Sequence, residues 1–291
     1  MSTVRRRESS QLDAPKQEIA LLANAVNLLV QAASSDDGAT FHGPSIDEFF
    51  PPAIFSIGGF EVNRIMLVRF IAVVALLLVF WLGTRRMKVV PGRFQSLVEM
   101  GLDLVRVNIA EDLLGRKDGR RFLPILTTIF FMVLFMNLTG IIPFLNIAGT
   151  SVIGVPLVLA VVAYITFIYA GVKKSPKGFF KNALFPSGVP KAIYIIVTPI
   201  EFISTFILRP VTLTLRLMMN MIVGHMLLVL FFSASVFFTF ALGQGWIVLG
   251  IGALGFGFIF TLFEILVAVL QAYVFALLTA VYIQLAVAEE H

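Results

Sequence analysis

The chain has 291 residues, 58% of them hydrophobic and 13% charged, with a formal net charge of +5. A soluble domain would carry about 25% charged residues, and several apolar runs here exceed the ~18 residues that mark a membrane span. A soluble globular protein is excluded.

Backbone groups in hydrocarbon must be bonded internally, so spans are helices or a closed barrel. The runs are continuous rather than alternating, which excludes the barrel. The expected fold is an all-α integral membrane protein with about five to six membrane helices. Cysteine is absent, which removes disulfides, thiolate nucleophiles and Cys-ligated metals. His42, His225 and His291 lie far apart in sequence, a poor basis for a zinc site. No metal or cofactor is expected. The basic excess is first a topology signal, and no nucleic-acid partner is expected.

Residues 1–62 read as a polar N-terminal external tail. Its apolar stretch "IALLANAVNLLV", behind Arg5, Arg6 and Arg7, loosely resembles a secretory signal. Glu8, Asp13 and Glu18 in a long lead-in favour an uncleaved surface helix instead. Pro51 and Pro52 in "FFPPAIF" end any helix there. Residues 63–291 read as a single membrane domain, whose first span covers 65–83. After Pro91 and Gly92, a helix is expected from Arg93 to Leu114. Phe94, Leu97, Val98, Leu104 and Val105 recur at helical spacing, with Glu99, Asp103 and Arg106 on another face. That pattern suits an amphipathic helix on the membrane surface. Spans follow at 122–142 and 152–172.

Two long apolar stretches come last, about 192–242, interrupted by Pro199 and Pro210, and 246–288. At ~1.5 Å per residue the second would be about 60 Å long, about twice a ~30 Å hydrocarbon core. Each must bend or tilt. A strongly tilted helical hairpin over about 192–288 would present a long flank to a partner within the membrane.

The loops at about 84–121 and 173–191 are rich in Lys and Arg, whereas 144–151 and 243–245 carry no charge. The positive-inside rule makes the first two cytoplasmic. The N-terminus is then external and the C-terminus cytoplasmic. No internal repeat is visible, which weighs against an inverted-repeat transporter.

A charge at the bilayer centre costs about 2.5–3.5 kcal/mol on insertion scales, so the intramembrane candidates are Arg69, Glu201, Arg209, Arg216, His225 and Glu264, with Asn220, Gln271 and Gln284 as polar companions. Arg69 lies near the external start of its span and Arg209 precedes Pro210 on the cytoplasmic side of its stretch, and for both snorkelling is expected. Glu201 is either an outlet-side proton group or a partner for Arg209. Arg216 lies mid-stretch, with no acid within two turns on its own helix. It either pairs with a structural acid elsewhere in the chain or faces a mobile carboxylate on another subunit. At ~4 Å and an effective dielectric near 20 such an attraction is about 4 kcal/mol, enough to hold an anion and weak enough to release it once protonated. Asn220 shares the face of Arg216, and His225 lies about half a turn away at ~100° per residue. Glu264 and Gln271 share a face of the last helix. A His and a Glu on adjacent helices can pass a proton, because His titrates near neutrality.

At these residues the sequence resembles subunit a of the F-type ATP synthase, in a bacterial, actinobacterial-like form. The resemblance rests on "RPVTLTLRLMMNMIVGHMLLVLFF", "FTLFEILVAVLQAYVFALLTAVYIQLAVAEEH", "VVPGRFQSLVEM" and "FMVLFMNLTGIIP", and spans about residues 45–291. It implies that Arg216 is the family's essential arginine, Asn220 the amide after it and Gln271 the final-helix glutamine. Where many bacterial members have Glu and His, this chain has His225 and Glu264, a reciprocal exchange that keeps the pair's chemistry. Many bacterial members have Asp at the position of Gly140, so the inlet is composed differently here. Glu201 fits the family's upstream acid loosely.

The resemblance further implies a non-catalytic proton-channel stator in the bacterial plasma membrane. Its partners would be the c-subunit ring, b-type peripheral stalk subunits and the rest of the ATP synthase complex, in a lipid bilayer, with the proton as cargo. Arg216 would face the ring carboxylates and block direct leak. His225 and Glu264 would relay protons in the inlet half-channel, Asn220 and Gln271 would line the path, and Glu201 would stand on the outlet side. Rival classes are a secondary transporter binding an anion at Arg216, an intramembrane hydrolase, for which no nucleophile–base pair is present, and a passive scaffold, which would not need the buried polar set.

Overall fold

The computed structural model describes residues 41, 43–45, 49, 53–57, 60–85, 87–88, 90–142, 145–176, 178–179, 184, 194–241 and 244–287. The expected surface helix at the N-terminus lies outside these residues. In chain order the elements are β1 (Ala53–Ile57), β2 (Phe60–Asn63), α1 (Arg64–Thr84), α2 (Arg93–Val105) and α3 (Asp112–Leu138). Then follow α4 (Gly154–Lys174), α5 (Tyr194–Ile203), α6 (Arg209–Val236) and α7 (Ile247–Val287). Among the described residues, five helical stretches are long and apolar enough to cross a membrane: Arg64–Thr84, Arg93–Leu138, Gly154–Lys174, Tyr194–Ala241 and Ile247–Val287. Among the described residues the fold is an all-α membrane architecture apart from an antiparallel β1–β2 hairpin leading into α1. Strands of five and four residues sit at the short end of the range in which alternation is readable.

Three segments depart from simple helices. Between α2 and α3 the backbone widens into a π turn, Arg106–Glu111, with an Arg106–Glu111 ion pair at 3.2 Å. Gly115 then adopts φ 72° and ψ 170°, a left-handed φ that strongly favours glycine. The chain reverses there and returns past Gly119, where a Cβ would stand 2.7 Å from the Ala110 carbonyl oxygen. The expected surface helix and second span are thus joined by a folded-back corner. A second π turn, Ser204–Leu208, precedes Pro210. Proline clashes with the carbonyl four residues before it, here Phe206, inside that π turn. The sequence interruption at Pro210 is therefore absorbed as a bulge. Pro199 is carried within α5. A third π turn, Phe237–Ala241, follows α6.

The amphipathic reading of α2 needs refining. Val98 and Val105 are buried, whereas Phe94, Leu97 and Met100 are exposed. Its apolar residues divide between an inner face and an outer one.

The chain forms two compact units. The larger takes Ser45–Leu227 with Phe260–His291. Its core joins Val105, Ile109, Phe122, Leu126, Leu213, Leu217, Phe275 and Ile283. Lys174 donates to the Val287 carbonyl at 2.6 Å, placing a cation at the C-terminal end of α7, where the helix dipole favours it. The smaller unit takes Leu228–Ile259 with the described part of Met1–Pro44. Within it, Ser235 donates to the Gly250 carbonyl at 2.8 Å, and Phe41 packs edge-on to Phe237.

Candidate functional site

Arg69, Arg209 and Arg216, the arginines singled out in the sequence, are each in a different state. Arg69 is half-buried on α1. Its Nε donates to the Gly149 carbonyl at 2.9 Å and its Nη2 to the Val152 carbonyl at 3.4 Å. The expected snorkelling is replaced by hydrogen bonds to the loop between α3 and α4, because two of its backbone carbonyls lie within reach. That loop is a buried polar knot. The Thr150 hydroxyl donates to Asn137 Oδ1 at 2.6 Å, the Thr139 hydroxyl donates to the Met136 carbonyl at 2.7 Å, and the Gly149 N–H donates to Thr139 Oγ1 at 3.2 Å. Gly140 lies in the same knot, where a Cβ would stand 3.1 Å from the Ala148 Cβ. A larger residue at 140 requires the loop to give way. Arg209 lays its guanidinium over the Tyr282 ring, 5.3 Å from the centroid, in cation–π contact. Among the described residues it forms no ion pair with Glu201, which is half-buried.

Arg216 differs from both. It is exposed, as is Asn220, while Leu213, Leu217 and Met221 on the adjoining face of α6 are buried. Among the described residues Arg216 has no acidic partner. Asn220 Nδ2 donates to Gln271 Oε1 at 3.0 Å, so the exposed face of α6 connects directly to α7.

His225 and Glu264 are both buried, each 3% exposed. The Glu264 carboxylate lies against the α6 backbone: a Cβ on Gly224 would stand 2.7 Å from Glu264 Oε1. Gly224 thus makes room for the acid one residue before His225. Phe49 meets the His225 ring edge-on, with centroids 5.2 Å apart, and is itself 2% exposed. Neither Gly224 nor Phe49 stood out in the sequence. A glycine inside an apolar helix is a signal of close packing; the Phe49 contact joins residues too distant in sequence to leave one. Gln271 Nε2 and Glu264 Oε2 are buried without a hydrogen-bond partner among the described residues. Buried polar atoms in that state call for an explanation such as water or a functional role. Among the described residues no group of three His, Cys, Asp or Glu could hold a metal ion.

The family model described as ATP synthase A chain matches residues 66–284. The chain belongs to this family. ATP synthase subunit a of Rhodococcus erythropolis is 52% identical over 256 residues, covering 86% of this chain and 92% of that protein. Subunit a of Frankia alni is 38% identical over 264 residues, 89% of each chain. Subunit a of Pseudarthrobacter chlorophenolicus is 38% identical over 262 residues, covering 88% of this chain and 97% of that protein. The family match covers α1 and α7 almost from end to end, and with them every site residue named above except Phe49. Membership makes the chain a multi-pass membrane subunit of the ATP synthase, with no catalytic chemistry of its own.

Proposed function

We propose that the chain is the stator of the proton path, and that it carries protons to and from a rotating ring of c subunits through two offset half-channels. The observation that carries this reading is Arg216, an exposed arginine in mid-helix with no acidic partner among the described residues. A cation exposed on an apolar helix is costly unless something outside the chain meets it. A ring carboxylate supplies that partner.

On this reading a proton enters from outside past His225 and Glu264, with Asn220 and Gln271 lining the way. It neutralises a ring carboxylate near Arg216. The neutral acid can turn into lipid, since burying an acid costs far less than burying its anion. After nearly a full turn it meets the outlet half-channel on the cytoplasmic side, near Glu201, and loses its proton. Arg216 holds the anionic site between the two paths and repels a proton that would cross directly. Each charge crossing ~100 mV supplies about 2.3 kcal/mol. The chain would lie in the bacterial plasma membrane with an external N-terminus and a cytoplasmic C-terminus, braced by b-type stalk subunits, its α6–α7 flank tilted along the ring.

The decisive experiment is Arg216→Ala in the assembled complex. Inverted membrane vesicles should lose ATP synthesis and ATP-driven proton pumping, and vesicles stripped of the catalytic sector should leak protons passively. Coupled synthesis at the normal rate would overturn the reading.

A further inference from the structure

The basic end of α3 and α4 carries a cluster for which the proton path has no use. Arg121 stands where α3 turns apolar, Lys173 in the last turn of α4 and Tyr169 one turn before it. All three side chains are exposed. Both cations converge on the Tyr169 hydroxyl: Lys173 Nζ donates to it at 3.0 Å and Arg121 Nη2 at a long 3.5 Å. Both also lie over its ring, 5.4 and 5.6 Å from the centroid.

Two positive charges around one neutral phenol repel each other. Among the described residues neither has an acidic partner. A guanidinium offers five N–H donors and an ammonium three, so most of their donors remain unspent. A phosphate group, accepting several charge-assisted hydrogen bonds at once, satisfies this arrangement as a hydroxyl cannot.

The surface leading to the cluster is apolar. Val158, Val161 and Ile165 are exposed on α4, at the three- and four-residue spacing that continues to Tyr169 along one helix face. The stripe runs along the span and stops at the two cations. Free phosphate would need only the cations. A phospholipid would use both, its acyl chain along the stripe and its headgroup at the end, where interfacial tyrosines gather. Basic pockets between membrane helices are a known way of holding anionic headgroups.

We propose that Arg121, Tyr169 and Lys173 form a binding site for the phosphate headgroup of an anionic phospholipid, whose acyl chain lies along α4. The test places the whole complex in phosphatidylcholine nanodiscs with a phosphatidylglycerol carrying a photoreactive group in its acyl chain. Cross-links should map to α4 around Ile165. Unlabelled phosphatidylglycerol should compete them away, and further phosphatidylcholine should not. Arg121→Gln and Lys173→Gln should each weaken the cross-linking about fivefold, the effect typical of one basic residue at an anionic surface. ATP-driven proton pumping by the variants verifies that they assemble, and the competition pattern of the unaltered complex decides the matter if they do not. Equal competition by phosphatidylcholine, or full cross-linking in assembled R121Q/K173Q, would overturn the proposal. Displacement by inorganic phosphate as complete as by phosphatidylglycerol would assign the site to the free ion and overturn its lipid identity.

Discussion

Arg69 and Arg216 are both arginines inside apolar helices, and the chain treats them in opposite ways. Arg69 spends its donors on the Gly149 and Val152 carbonyls of its own chain. Arg216 turns outward beside Asn220, without an acidic partner among the described residues. Insertion of either charge is costly, so each needs compensation. For Arg69 the compensation is internal and serves the fold. For Arg216 the described residues supply no acid, and the proposed function assigns the compensation to a partner subunit. On the proposed function, the two sites separate a structural charge from a functional one by where the partner lies.

The strongest way to break this comparison is to remove Arg216. Arg216→Ala removes no ion pair within the described chain, so the subunit should accumulate in the membrane at its normal level while coupled synthesis falls to background. Quantitative immunoblotting beside synthesis rates reads both. A fall in abundance matching the loss of activity would make Arg216 a second Arg69.

Next in size is the buried pair. Glu264 packs against the Gly224 backbone, next to His225. Losing a positioned acid or base costs about a hundredfold or more. His225→Glu and Glu264→His should each reduce ATP-driven proton pumping about a hundredfold, and the double exchange should recover a large part of it. Equal damage in all three variants would show that the two groups do not share a relay.

Arg69→Leu should act through stability. Hydrogen bonds to charged groups are worth about 1.5–3 kcal/mol each. One of the two here is long, so a loss of about 2 kcal/mol is expected. Less subunit should survive detergent extraction and heating, while the activity per assembled complex stays near normal. Full abundance with lost coupling would move Arg69 to the functional side.

The sequence was most informative where a rule is periodic or costly to break. Apolar runs located four of the five long helical stretches to within a few residues, because lipid tolerates little else, whereas α3, Asp112–Leu138, starts at Asp112 rather than the expected 122. The 3.6-residue period put Arg216 and Asn220 on one face and His225 on another. What escaped depended on contacts between distant segments. The Gly149 and Val152 carbonyls that bind Arg69 are loop backbone, which no residue type announces. Gly115 is one glycine in a polar loop until its positive φ makes it a corner. The close approach of Glu264 to Gly224, and of Phe49 to His225, appears only once the elements are packed.

Asn220 tests the comparison at its boundary. It is exposed on the face of Arg216, yet it spends a donor inside the chain, at 3.0 Å from Gln271 Oε1. If partner location decides a residue's role, Asn220 should be mixed, with a small cost to stability and a small cost to flow. A neutral hydrogen bond contributes about 1 kcal/mol net, so Asn220→Ala should slow ATP-driven proton pumping about fivefold at most and lower thermal stability slightly. Gln271 Nε2 already has no partner among the described residues, and the variant would leave Oε1 needing one too. Gln271→Ala in the Asn220→Ala background should therefore cost less than it does alone. Interaction within a double-mutant cycle is the mark of groups that act through each other. Strict additivity would mean that the 3.0 Å contact couples nothing, and that Asn220 belongs wholly with Arg216.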